Sequence, residues 1–148
     1  MRKPDAPAAR ILLVDDNARG LAARKLILAD HGYGVDTALS GEEAWELFQK
    51  HRFDVVVTDL KMGGIDGVEL IGRIRNADAS TGLILLSGFI DCLGLSAKTT
   101  GADELINKSN KEIQDLLRAI RRLAVRPRRR KPPSSQRGEN PPAAKRVG

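Results

Sequence analysis

Cysteine is nearly absent from this chain: Cys92 is the only one in 148 residues, which excludes an intrachain disulfide. A fold of this length does without one, because a single core buries roughly two thirds of the surface that the unfolded chain exposes. Cys92 therefore reads as a small apolar side chain in a reducing compartment. Aromatic residues make up only 3% of the chain, which leaves little for stacking against bases. Two histidines occur, His31 and His51, both near helix ends, and they read as dipole-favoured imidazoles rather than ligands. No apolar run is long enough for a secretory signal or a membrane span, so an unexported, cytoplasmic protein with no membrane partner is expected.

What charge there is lies unevenly. The net charge is +6, yet residues 125–148 hold eight basic residues against one acid, a net +7, which leaves residues 1–124 at −1. Five of the seven prolines fall in the same stretch, and it has almost nothing apolar to bury. Three segments follow: a disordered arm over 1–9, one folded domain over 10–124, and a basic, Pro-rich disordered tail over 125–148.

Within the folded part, short apolar runs alternate with segments of helical period, the pattern of βα repeats around a parallel sheet. The runs are 11–14, 33–39, 55–57, 83–86 and 105–106. Three helices announce their starts with a capping residue and a Glu three positions on: Ser40 with Glu43, Asp66 with Glu69, and Ser109 with Glu112. The first helix, over about 18–31, sets Leu21, Ala22, Leu28 and Ala29 on one side, with Gly32 as C-cap. The fourth, over 91–100, has the poorest propensity, with Gly94, Ser96, Thr99 and Thr100 inside it.

The residues ending these runs carry the chemistry. Asp15 and Asp16 follow the first, Asp59 the third, Ser87 the fourth and Lys108 the fifth. A parallel sheet gathers those ends at its carboxyl edge, where ligands of open α/β folds bind. Three close carboxylates repel one another, and a hard divalent cation such as Mg2+ resolves the conflict. With a cation on Asp16 and Asp59, the second oxygen of Asp59 is left to attack a phosphoryl group whose oxygens Lys108 neutralises. Ser87 is placed to bond one phosphoryl oxygen.

In this order, the motifs over about 10–124 resemble the receiver domain of two-component response regulators. That resemblance implies a doubly wound, flavodoxin-like (βα)5 fold, a five-stranded parallel sheet of order 2-1-3-4-5 with five helices. Asp59 then stands as phosphoacceptor, Asp15 and Asp16 as the metal pair (Asp16 directly, Asp15 through water), the backbone carbonyl of Lys61 as a further metal ligand, Ser87 as the switch hydroxyl and Lys108 as the phosphoryl contact. Implied too are Mg2+ as cofactor, a sensor histidine kinase or phosphotransfer protein as donor, and a downstream partner protein. Such a domain is a regulatory phosphoacceptor, not an enzyme in the ordinary sense, although it catalyses its own phosphotransfer and dephosphorylation. Three positions depart from the family pattern: Gly63 replaces a proline, Leu105 the aromatic ring that moves on phosphorylation, and Ser109 the proline after the lysine.

Other readings are a phosphorelay intermediate, a nucleic-acid-associated regulator acting through the tail, and a haloacid-dehalogenase-like phosphatase. The last wants a second Asp two residues after the nucleophile, where this chain has Lys61. The tail reading is separable by experiment. Eight phosphate contacts would make log K fall with log salt at a slope of about −7, whereas a solvated extension gives no retention on DNA. Deleting residues 125–148 and finding low-salt DNA retention unchanged removes the nucleic-acid reading.

Overall fold

The computed structural model describes residues 8–88 and 90–125. Most of the expected arm, and all but the first residue of the expected tail, lie outside them. Ala8 N donates to Gly32 O, and Ala9 is buried, so these two residues of the expected arm belong to the packed body.

Strands and helices alternate: β1 (Arg10–Val14), α1 (Ala18–Asp30), β2 (Gly34–Ala38), α2 (Gly41–Lys50), β3 (Val55–Asp59), α3 (Gly67–Ala77), β4 (Gly82–Ser87), α4 (Ile90–Leu93), α5 (Ala97–Thr100), β5 (Glu104–Asn107) and α6 (Glu112–Val125). All four strand pairings are parallel, and the order is β2-β1-β3-β4-β5, as the family resemblance implied. Among the described residues no helix is long and apolar enough to cross a membrane.

Alternation along the strands builds two cores, one on each face of the sheet. Ile11, Leu13, Val55, Val57, Ile84 and Leu86 pack with Leu21 and Leu28 of α1 and Leu116, Ile120 and Leu123 of α6. Leu12, Val14, Val56, Leu83 and Leu85 pack with Ala44 of α2 and Leu70, Ile71 and Ile74 of α3. Every residue of β3 is buried, which fits a central strand covered on both faces.

The connection from β4 to β5 is two one-turn helices in place of one. Gly94 lies between them with φ 65°, a left-handed conformation that breaks a right-handed helix. Ser96 then restarts the chain, its Oγ accepting from Thr99 N while Thr99 Oγ1 accepts from Ser96 N. This reciprocal cap was not among those read from the sequence, because Thr stood where a Glu or Gln was sought.

Of the three caps that were read, two form their first half as expected: Ser40 Oγ accepts from Glu43 N, and Asp66 Oδ1 from Glu69 N. At the third, Ser109 Oγ accepts from Lys111 N, and Glu112 does not turn back to it. Its carboxylate reaches Arg24 of α1 instead. The inward face of α1 also differs from the expected one. Ala22 and Ala29 are exposed, and the half-buried residues between Leu21 and Leu28 are Arg24 and Ile27.

Gly67 fixes how closely α3 approaches β3. A Cβ there would lie 2.2 Å from the backbone oxygen of Asp59 and 3.0 Å from a Leu85 methyl group. Gly67→Ala must therefore push α3 off the strand end, at about 1–3 kcal/mol. Gly72, on the same helix with nothing within 4 Å of its would-be Cβ, should gain about 0.5–1 kcal/mol as Ala. Urea midpoints at unchanged slope check both, and equal midpoints for the two variants would refute the close-approach argument.

Candidate functional site

Register brings the strand ends together. Val14 pairs with Thr58 across β1 and β3, so the next residues, Asp15 and Asp59, stand beside one another. Asp59 pairs with Leu86, and Ser87 with Asn107. Lys108 N donates to Ser87 O at 3.0 Å, which carries the lysine to the same edge. Its ammonium group forms an ion pair with Asp59 Oδ1.

Asp15, Asp16 and Asp59 each offer a carboxylate oxygen, and these lie within 4.8 Å of one another. Asp15 and Asp59 are buried, and Asp16 is exposed. Both oxygens of Asp15 are engaged: Oδ1 accepts from Asn17 N at 3.0 Å and Oδ2 from Arg24 Nη1 at 2.9 Å. Asn17 in turn caps α1, its side-chain oxygen accepting from Arg19 N and Gly20 N. Ser87 is buried at the end of β4, and Lys61 is exposed in the loop after Asp59. That loop is tied down by Glu42 of α2, whose Oε2 accepts from Ile65 N at 3.2 Å.

Arg24, which the sequence reading passed over, and Glu112, which it read only as a capping residue, complete the charge pattern. Arg24 reaches from α1 with Nη1 on Asp15 and Nε 2.6 Å from Glu112 Oε2 at the start of α6. Its signal in the sequence was a charged residue on the side of α1 that Leu21 and Leu28 bury. Burial works against the charge of Arg24, but the hydrogen bonds to Glu112 and Asp15 outweigh it and hold its pKa above the ordinary value. For Asp59, burial dominates and pushes the carboxyl up; Lys108 pulls it down, the charge of Asp15 pushes it up again, and the net shift is upward.

Asp15, Asp16, Asp59 and Glu112 with Arg24 and Lys108 carry a formal net charge of −2. Hard oxygen donors with two uncompensated negative charges fit a divalent cation of the Mg2+ type. The geometry can thus hold a metal beside a strand-end carboxylate that already faces an ammonium group, the arrangement needed to neutralise a phosphoryl group in transfer.

The sequence profile of the response regulator receiver domain matches residues 11–121. The chain belongs to this family. Its acidic cluster matches the Mg2+ site of receiver domains and is positioned for Mg2+-dependent phosphotransfer. Transcriptional regulatory protein TrcR of Mycobacterium tuberculosis is 30% identical to it over 127 residues, which are 85% of this chain and 49% of TrcR. Virulence sensor protein BvgS of Bordetella pertussis is 47% identical over 73 residues, 49% of this chain and 6% of BvgS. The chain therefore spans about half the length of TrcR and a small part of BvgS. Among solved structures, a receiver domain protein from Clostridium thermocellum superposes with a TM-score of 0.71 at 32% identity, covering 78% of this chain and 94% of that one. Response regulator TrrA of Thermotoga maritima, solved in complex with Mg2+ and BeF, gives 0.70 at 34% identity, covering 78% and 98%.

The departures from the family pattern have visible settings in this receiver domain. Leu105 is half-buried on β5, opposite Leu85, and packs with the core beneath α2 and α3. Gly63 is exposed, and a Cβ on it would meet nothing within 4 Å.

The raised pKa of Asp59 sets a pH dependence. A group that holds its proton more tightly in the folded state contributes stability below the unfolded carboxylate pKa, and this is lost as pH rises through the folded value. Ionised Asp59 therefore weakens the metal-free fold at neutral pH. In chelator, Asp59→Asn should melt above wild type at pH 7, with the gap closing toward about pH 4. A variant that melts lower at pH 7 would contradict this.

Proposed function

We propose that Asp59 accepts a phosphoryl group from the phosphohistidine of a sensor histidine kinase or phosphotransfer protein, in a Mg2+-dependent reaction, and that the modified domain signals through a partner protein. The observation that carries this reading is the meeting of Asp15, Asp16 and Asp59 at one sheet edge with Lys108 already paired to Asp59. The likeness to BvgS, a sensor protein by name, supports a kinase or phosphotransfer partner. A cytoplasmic location belongs to the same reading.

An oxygen of Asp59 attacks phosphorus while the bond from phosphorus to the imidazole nitrogen of the donor breaks, and the imidazole leaves with that electron pair. Lys108 turns from the carboxylate to the phosphoryl oxygens as their charge develops. Ser87, buried one residue beyond the strand pair that holds Asp59, donates its hydroxyl to a phosphoryl oxygen. Mg2+, when bound, supplies further neutralisation at those oxygens. Asp16, being exposed, would hold the cation directly, together with Asp59 and the backbone carbonyl of Lys61. Asp15, with both oxygens already engaged, acts through water.

Lys61 also separates this reading from the phosphatase one, since no acid stands two residues after Asp59 to protonate a leaving alcohol. Intact-mass measurement after incubation with Mg2+ and a small acyl phosphate tests the assignment. One stoichiometric, base-labile phosphoryl group is expected on wild type and none on Asp59→Asn. Equal modification of both proteins, or of neither, would overturn it, and steady turnover of a phosphomonoester would favour the phosphatase.

A further inference from the structure

The acidic pocket is joined to one junction of the chain twice. Lys108, one residue past β5, pairs with Asp59, and Glu112, the first residue of α6, pairs with Arg24, which pairs with Asp15. Both tethers end within the same turn between β5 and α6. The second has no counterpart in the chemistry proposed for Asp59, since Arg24 is not needed to receive a phosphoryl group.

Its construction is specific. The side chains of Arg24, Asp15 and Glu112 are 11%, 4% and 13% exposed, so all three charges are largely withdrawn from water. By contrast, the pairs Arg73–Glu69 and Arg118–Asp115 lie at the surface, where such contacts contribute little. Arg24 uses different edges of its guanidinium for the two acids, Nη1 for Asp15 and Nε for Glu112, a division that a lysine could not reproduce. Glu112 forgoes the bond back to Ser109 that its position after a capping serine offers.

We propose that Arg24 is a positioning residue that competes with the divalent cation for Asp15 and, through Glu112, couples occupancy of the acidic pocket to the first turn of α6. This rests on the cation reading given above. Two effects act in the same direction. Arg24 satisfies an oxygen of Asp15 that would otherwise turn toward a cation, and its positive charge repels a metal in the pocket. Glu112 draws Arg24 away from Asp15 and offsets part of its charge, so it favours the cation. Linkage makes the coupling reciprocal: a cation that weakens the hold of Arg24 on Asp15 must change the Arg24–Glu112 pair and the helix end that carries it.

Calorimetric titration of the full chain with Mg2+ tests this, with hydrogen exchange over residues 110–118 as a second readout. Arg24→Gln should bind Mg2+ on the order of tenfold more tightly than wild type, by loss of one repelling charge. Glu112→Gln should bind several-fold more weakly, and the double variant should match Arg24→Gln alone, because Glu112 acts through Arg24. In wild type, Mg2+ should alter exchange in the first turn of α6, and in Arg24→Gln this response should vanish. Unchanged or weaker binding by Arg24→Gln, or a Glu112→Gln effect that persists in the double variant, would overturn the coupling. Should Arg24→Gln fail to fold, the sign of the Glu112→Gln effect and the exchange response of wild type decide the question. If wild type binds no Mg2+ at all, the cation reading falls and the coupling with it; if wild type binds and Arg24→Gln changes nothing, the coupling falls alone.

Discussion

Mutual repulsion among carboxylates held close together at a sheet edge is the constraint on which this molecule turns. Asp15 and Asp59 are buried at the ends of neighbouring strands with Asp16 beside them, and burial in low dielectric makes each charge expensive. Two positive groups at the edge answer that demand: Lys108 on Asp59, Arg24 on Asp15. Neither is sufficient, since Asp59 still holds its proton more tightly than a solvated carboxyl does. A pocket left with excess negative charge after its own cations are counted is one prepared for an ion from outside, and this sets its chemistry.

The fold serves this by making the strand ends rigid. Parallel strands with both faces covered leave β1 and β3 little freedom, so the residues that follow them are held in register. Gly67 lets α3 close against the backbone of Asp59, and Glu42 pins the intervening loop through Ile65 N. Removing one member of a buried pair such as Asp15–Arg24 commonly destabilises by about 3–5 kcal/mol, because the other charge is left alone. Stability and reactivity here draw on the same atoms.

Much of this was legible in the sequence because it depends on local rules. Apolar runs located all five strands, and polar residues ending four of them pointed to the edge where Asp15, Asp16, Asp59 and Lys108 meet. What was not legible depends on contacts between distant segments. Arg24 is 88 residues from Glu112, and nothing in helical period says that a charged residue between Leu21 and Leu28 has a partner. The capping rule for Ser109 failed for the same reason: a buried arginine offers Glu112 a stronger bond than a backbone amide at an exposed turn. The split between α4 and α5 was half visible, since Gly94 marked a weak helix, but its positive φ had to be seen.

Leu105 brings these threads together. An aromatic ring at that position would have a polar edge to exchange between solvent and a hydroxyl near the site; leucine has none, and here it is packed against the core beneath α2 and α3. A change of charge in the pocket therefore has to leave by groups that feel charge. Two such groups lie at the β5–α6 junction, where Lys108 answers to Asp59 and Glu112 answers, through Arg24, to Asp15. Neutralising either acid alters the hold on one tether, and occupying both alters the two together over the five residues from Lys108 to Glu112. On the coupling proposed for Arg24, the start of α6 is the element that the pocket's charge reaches most directly.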